Sequence, residues 1–484
     1  MHSTTETNQT FRRTGSTRHR SEPRIVEEIR EICRPAAEKI ARHDGEIRLI
    51  GQYDADGISA TAIAHRALER QGKNFSYEIL KQLYEEDVER IAEEDEDLLV
   101  FVDIGSGQSD LLKEHILQET DKQVIVSDHH DPALDEEESG NLENLIHLNP
   151  HHLGYDGGEA ISAAGMTYLL TEEMDEENRD LVHMALIGAT GDVQKQEGEF
   201  LGLNQDLESL AVESGAVERR KGLDLYGRTT KPLQKSLMYT TDPYLEGVSN
   251  DESGAIELVK SAGIEIRKDG EFRTLADLTE EEEQKLIRNM IKRGFDVERL
   301  LNSIYTLENG YEIDEFSTII NACGRLGSPR KGVKILLEQD LELAEKISRK
   351  YGRRISSSLR YVEDHKEDED VIYEEEIGVI DGKSEVDEDF IGTVTTITMS
   401  NGFFDAPVVM GVADAEKDKV KVSSRADKEA VEDGLNLGEI IDEICGELDG
   451  EGGGHNVAAG AKIPQENKEE FIQKLNSMVS EQTA

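Results

Sequence analysis

LLVFVDI, residues 98 to 104, decides the architecture. It is an apolar run with an aspartate near its carboxyl end, and it predicts a strand buried on both faces. A second run, VIVS at 124–127, leads straight into Asp128-His129-His130. Upstream, RLIGQ at 48–52 reads as a short strand before Asp54-Ala55-Asp56-Gly57. Helical patterns flank these strands. Pro23 to His43 carries Ile25, Ile29, Ile32 and Ala36 near helical spacing, and Ile58 to Gln71 ends at Gly72. Unbroken strands alternating with helices predict a parallel sheet covered on both faces. Ligands of such sheets bind beyond the carboxyl ends of the strands.

Acidic residues gather at those ends. Asp54 and Asp56 follow the first strand, and Asp103 ends the LLVFV run with Gly105 and Gly107 behind it. Asp128, His129 and His130 follow VIVS, and Asp192 follows the helix-like ALIGAT. A single aspartate in such a place is ordinarily a turn former or a helix cap. Several that converge on one sheet edge repel one another unless a cation compensates. Oxygen ligands joined by histidine suit Mn²⁺ or Mg²⁺. Two such ions, roughly 3.5–4 Å apart and bridged by a carboxylate, activate water and stabilise a phosphoryl transition state.

Outward from this region, Ile161 to Gly191 is helical and rich in Ala and Gly, and residues 205–360 read as mostly helical. Arg219 to Lys235 (RRKGLDLYGRTTKPLQK) is a basic segment. Glu363 to Glu376 holds nine acids in fourteen residues and reads as a solvated connection. Strands and helices then alternate again. Ala406–Ala413 and Lys419–Ser423 are strands, Leu437–Leu448 is a helix, EGGGH is a glycine-rich turn, and a helix closes the chain.

The 484 residues include 54 basic and 104 acidic side chains, a formal charge of −50. The excess acid is spread along the whole chain, which fits a surface adapted to high salt, a halophilic trait. At molar salt the Debye length is only about 3 Å, so local basic clusters and not net charge govern contact with phosphates. Cys33, Cys323 and Cys445 stand far apart with no CxxC pair, which argues against a zinc ribbon or a disulfide framework and for a reducing, cytoplasmic setting. No apolar run is long enough to span a bilayer, and the first residues lack the apolar core of a signal peptide.

QYDADGISA, VFVDIG, SDHH and ATGDV, in that order, resemble the motifs of the DHH phosphoesterases. GEGGGHNVAAGAKI resembles the signature of the accessory DHHA1 domain. EFSTIINACGRLGSP, Glu315 to Pro329, is similar to a segment of archaeal RecJ-like nucleases. The resemblance implies an α/β fold: a disordered tail over 1–22, a parallel-sheet DHH metal-binding catalytic domain over 23–215, a mostly helical connecting region over 216–365, and a smaller α/β DHHA1 substrate-binding domain over 366–484.

It also implies roles. Two Mn²⁺ ions, with Mg²⁺ as the other candidate, would be held by Asp54 on one side and Asp56 on the other, with Asp103 bridging and His129 and Asp192 completing the set. Asp128 would orient the histidines. Water or hydroxide between the ions would attack phosphorus in line. His130, Asn321, Arg325, Arg425, Gly452, Gly453, Gly454 and His455 would contact substrate, the glycines letting backbone N–H groups approach a phosphate. Arg219–Lys235, with Arg325, Arg330, Lys331 and Lys334, would line a path for a single strand. Position 52 departs from the family: members often carry His or Asp there, and others use a His at the position of Ile50, whereas this chain has Gln52. The activity implied is exonucleolytic hydrolysis of single-stranded DNA or RNA in repair or replication. The alternatives are a phosphodiesterase for short oligonucleotides or cyclic dinucleotides, and a Cdc45-like replication scaffold that binds GINS.

Overall fold

A computed structural model describes residues 23–483 apart from 226, 230, 241, 242, 269, 369 and 370; the N-terminal tail expected over 1–22 lies outside the described residues. Five strands form a wholly parallel sheet: β1 (Ile47–Gln52), β2 (Phe75–Leu80), β3 (Leu98–Val102), β4 (Gln123–Ser127) and β5 (Leu145–Leu148), in the order β2-β1-β3-β4-β5. Strand alternation explains why β3 is apolar throughout. Leu98, Val100 and Val102 face a core shared with Ile58, Leu169 and Leu186, whereas Leu99 and Phe101 face a second core with Val88, Ile91 and Ile116. β3 ends at Val102, short of the expected Ile104, because Asp103 turns into the left-handed region at φ 59°.

The chain moves outward from β1 to β2 and then crosses back to β3. This reversal is a topological switch point, which opens a crevice at the carboxyl ends of β1 and β3. The helix after β1 runs Ala55–Arg70 and starts earlier than the expected Ile58. Asp54 is the reason: its carboxylate accepts the Gly57 N–H at 3.0 Å and caps the helix.

The middle of the chain is mostly helical, as its sequence reads, with one longer strand pair. Val217–Leu223 and Leu301–Leu307 form an antiparallel pair over helices that include Glu252–Ser261 and Glu280–Lys292. The 24-residue helix Leu341–Asp364 then leads to the second lobe. Its six-stranded mixed sheet places Val408–Ala415 and Lys419–Ala426 at the centre, with helix Glu388–Ser400 on one face and Leu437–Glu447 and Lys468–Thr483 on the other.

EGGGH is a strand, Glu451–His455, and not the expected turn. Its glycines answer a packing demand. A Cβ at Gly452 would strike the Cys445 Sγ and Ala461, and one at Gly454 would strike the backbone of Ala458 and Ala459. The three cysteines are free and buried. No helix among the described residues is long and apolar enough to cross a membrane.

Candidate metal centre

The switch point collects the acidic residues. Asp56, in the first turn of helix Ala55–Arg70, is 2% exposed. Its carboxylate accepts the N–H groups of Ala163 (2.7 Å) and Ala164 (3.0 Å), which open helix Ala163–Met174. Such an N-terminus favours a carboxylate. Helix Val182–Gly191 packs against it through glycine: a Cβ at Gly188 would collide with the Asp56 carboxylate. Asp192 caps the end of that helix.

Asp103 is 1% exposed and held in a conformation that costs most residues energy but that Asp tolerates better than others. Asp128 is fully buried. It accepts the N–H groups of Ser106 (3.0 Å) and His129 (2.7 Å), and the Nδ1–H of His130 at 2.7 Å. His129 donates from Nδ1 to the Gly157 carbonyl at 3.0 Å. Its Nε2 therefore points the other way, at Asp103 Oδ1 (3.6 Å), Asp192 Oδ2 (3.6 Å) and Asp56 Oδ2 (3.9 Å).

The gathered carboxylates perturb one another. Burial and the neighbouring Asp192 charge push Asp56 up to about 7. Burial and Asp54 do the same to Asp192. Burial, Asp54 and Asp56 hold Asp103 well above the usual carboxylate range. Asp128 goes the opposite way: burial alone would raise it, but the His130 contact keeps it far below its ordinary value. Asp103 Oδ1 and His129 Nε2 are buried without a hydrogen-bond partner. Two buried acceptor atoms facing each other, ringed by carboxylates, fit a hard divalent cation.

Two ligand groups can be drawn, and they share His129: Asp103, Asp128, His129 and His130, and Asp56, His129 and Asp192. Asp54 belongs to neither. It is occupied as the helix cap and, with the Gln52 amide turned as its neighbours dictate, accepts from Gln52 at 2.6 Å; the same amide donates to Asp103 Oδ2 at 3.3 Å.

Residues 46–190 match the DHH family, N-terminal domain; residues 225–305 match the DHH-CID domain; residues 383–481 match the DHHA1 domain. An uncharacterized protein of Methanocaldococcus jannaschii is 30% identical over 464 residues, 94% of this chain and 98% of that one. The chain belongs to the DHH/DHHA1 family. Its relatives include the single-stranded-DNA-specific exonuclease RecJ of Bacillus subtilis, 22% identical over 445 residues; the match spans 90% of this DHH/DHHA1 chain but only 45% of that RecJ. The crystal structure of Thermus thermophilus RecJ in complex with Mn²⁺ shares the fold, with a TM-score of 0.56 at 20% identity over 94% of this chain and 55% of that one. Family membership agrees with the α/β, phosphoesterase reading of the sequence.

The DHHA1 domain faces the DHH domain across a cleft of about 480 Å³, lined by Tyr53, Lys81, Arg325, Lys421, Arg425 and Gly452 among others. Lys81 bridges the lobes to Glu388 at 2.8 Å, and Arg325 donates to the Thr393 hydroxyl. Arg425 donates to the hydroxyls of Thr396 and Ser423 and to the Ser424 carbonyl. Among the described residues, neither arginine has a carboxylate within ion-pair distance, and Lys421 feels Glu388 and Asp389 without direct contact. Gly453, Gly454 and His455 are not among the cleft-lining residues, and Asn321 lies partly buried on helix Ile313–Arg325.

In the basic segment Arg219–Lys235, four cations are paired with acids. Arg219 pairs with Glu199 and Glu208, Arg220 with Glu283, Arg228 with Glu283 and Glu312, and Lys235 with Glu252. Lys334 pairs with Glu338 and Asp340. Sequence reasoning passed over Lys81 and Lys421, which carry no motif, and Gln194, which sits two residues after Asp192 and touches it.

Proposed function

We propose that this DHH/DHHA1 protein is a divalent-metal-dependent phosphodiesterase that removes nucleotides from an end of single-stranded DNA or RNA. One observation carries the reading. The orphaned, buried Asp103 Oδ1 and His129 Nε2 face each other at the switch-point crevice, and the loop that bears Asp54 continues from Tyr53, which lines the cation-bearing cleft.

Asp103, His129, Asp56 and Asp192 are the residues to hold Mn²⁺ or Mg²⁺. A divalent cation there supplies Lewis acidity toward a phosphate oxygen and makes water more acidic. The protein's own residues do the rest. His130 is kept protonated by Asp128 and is 46% exposed, so its charge is available to a phosphate oxygen or a leaving group. Arg325, Arg425 and Lys421 hold phosphates farther along the strand, and the wide cleft admits a chain without selecting its bases. Asp54 acts by shaping the first helical turn and by its charge, with Gln52 as its partner. The intact set of carboxylates and imidazoles supports hydrolysis over a purely scaffolding role.

The test is digestion of 5′- and 3′-labelled single-stranded DNA and RNA in high KCl with Mn²⁺, beside an Asp103→Ala control. Stepwise shortening that disappears in the variant supports the reading and reports polarity and sugar preference. Intact strands with folded, metal-loaded protein would sink it.

A further inference from the structure

Gln194 is completely buried, and its side-chain amide makes an unusual set of contacts. Nε2 donates one hydrogen to Asp192 Oδ2 at 2.8 Å and the other to the Gly157 carbonyl at 2.9 Å. An amide nitrogen has two hydrogens, so both are used. That same Gly157 carbonyl accepts the Nδ1–H of His129 at 3.0 Å, and a carbonyl oxygen has two lone pairs for the two donors. One planar group therefore touches Asp192 directly and reaches His129 through a shared acceptor, with Nε2 also 3.4 Å from His129 Nδ1.

The amide cannot turn over. Gln194 Oε1 accepts the Asn204 Nδ2–H at 2.7 Å, and Asn204 is itself fully buried. Reversed, Oε1 would face a carboxylate and a carbonyl while Nε2 met another donor. The backbone is fixed as well: the Gln194 N–H donates to the Ala189 carbonyl at 2.9 Å, and the Leu201 N–H donates to the Gln194 carbonyl at 2.9 Å. A buried amide costs free energy unless it is hydrogen-bonded, and an aliphatic side chain of similar size would fill the same space. What the amide adds is direction.

We infer that Gln194 is a positioning residue that fixes the Asp192 carboxylate and the His129 Nε2 in their metal-facing orientations through one side-chain amide. The inference rests on the metal-dependent reading above. With Nδ1–H committed to Gly157, His129 keeps the tautomer whose Nε2 lone pair is open. Asp192, 31% exposed and at a helix end, gains from Gln194 a restraint that solvent would not give it.

Mn²⁺ titration of EDTA-stripped protein, with free Mn²⁺ read by electron paramagnetic resonance, tests this without any turnover. Gln194→Met keeps volume and removes the donors. Gln194→Met with Asn204→Leu also removes the stranded Asn204 amide, so that both polar partners leave together and the core is not left with an orphan. Both variants are expected to bind Mn²⁺ about 10- to 100-fold more weakly than wild type. The double variant is expected to do so with a metal-free melting temperature close to wild type. Asn204→Ala alone, which leaves the two donors in place, is expected to stay within about twofold. Wild-type affinity in either Gln194 variant overturns the inference, whatever its melting temperature. Absence of Mn²⁺ binding by the wild type overturns the metal-dependent reading itself.

Discussion

His130 donates from Nδ1 to Asp128 Oδ1 across 2.7 Å, which keeps a cation beside the carboxylate cluster. Burial alone would lower the imidazole, but the Asp128 charge and hydrogen bond override it and raise His130 from 6.5 to about 9. A raised folded-state value means that the pair's contribution to stability is complete below pH 6.5 and is lost as pH rises through about 9. In metal-free Asp128→Asn the His130 midpoint is expected to fall from about 9 toward 6.5, as read by NMR titration of the imidazole. An unmoved midpoint would contradict the assignment.

Metal affinity should depend on pH in the opposite sense. Asp56 and Asp192 sit at about 7 in the metal-free cluster, first through burial and then through neighbouring carboxylates. A cation must displace those protons, so affinity is expected to rise as pH rises and to level off above about 7. Below that point each displaced proton is worth about tenfold in Kd per pH unit. Isothermal titration with Mn²⁺ at several pH values in buffers of different ionisation enthalpy checks both the slope and the proton release. A flat profile would mean that the carboxylates are already ionised.

Val193 adopts φ 60° and is 72% exposed, directly between Asp192 and Gln194. A β-branched residue in the left-handed region is strained by about 1–2 kcal/mol, and glycine is not. Val193→Gly is expected to raise the melting temperature modestly, the gain being reduced by glycine's greater freedom in the unfolded chain. Differential scanning calorimetry gives the answer, and a lower melting temperature would show that the valine side chain contributes packing that its exposure conceals.

Gly188→Ala should damage the centre from behind. The new methyl would meet the Asp56 carboxylate and the Ala164 side chain. Overpacking of this kind costs about 1–3 kcal/mol, and here it would also dislodge a ligand. The expected result is a lower melting temperature together with weaker Mn²⁺ binding; loss of stability with wild-type Kd would place the strain elsewhere.

Arg425→Ala should raise KM for a single strand more than it lowers kcat, because Arg425 lines the cleft wall opposite the metal lobe. If it contacts one phosphate, the slope of log K against log salt should become shallower by about 0.7. Binding curves at several KCl concentrations provide the test. A slope equal to wild type would remove Arg425 from the strand path.

The first lobe was legible because burial on both faces leaves a plain signature. LLVFV has no polar residue to place, so it could only be an interior strand, and the aspartate that stops it lands at the sheet's carboxyl edge. EGGGH misled because three glycines read as freedom to turn, whereas here Gly452 and Gly454 make room for a neighbouring helix and strand. The pairing within Arg219–Lys235 was not legible because the acids that meet four of its cations, from Glu199 to Glu312, lie outside the run. The resemblance assigns Asp54 to a cation; that its carboxylate also caps a helix and meets Gln52 is visible only in the folded chain. Gln194 left no trace, since a polar residue after a helix is unremarkable until its partners are known.

The helix Leu341–Asp364 acts as a ruler between the lobe of the metal centre and the cleft wall that carries Lys421 and Arg425. It is a continuous rod of 24 residues, so its length cannot be changed gently. Each inserted residue advances the far end by about 1.5 Å and turns it by about 100°. A single insertion would swing Arg425 and Lys421 off the wall facing Lys81, and only an insertion near a whole number of turns would bring them back into phase, displaced along the axis. The spacing between the carboxylate cluster and the cations of the far wall is thus set by a count of residues in a helix that contributes none of the cleft-lining residues.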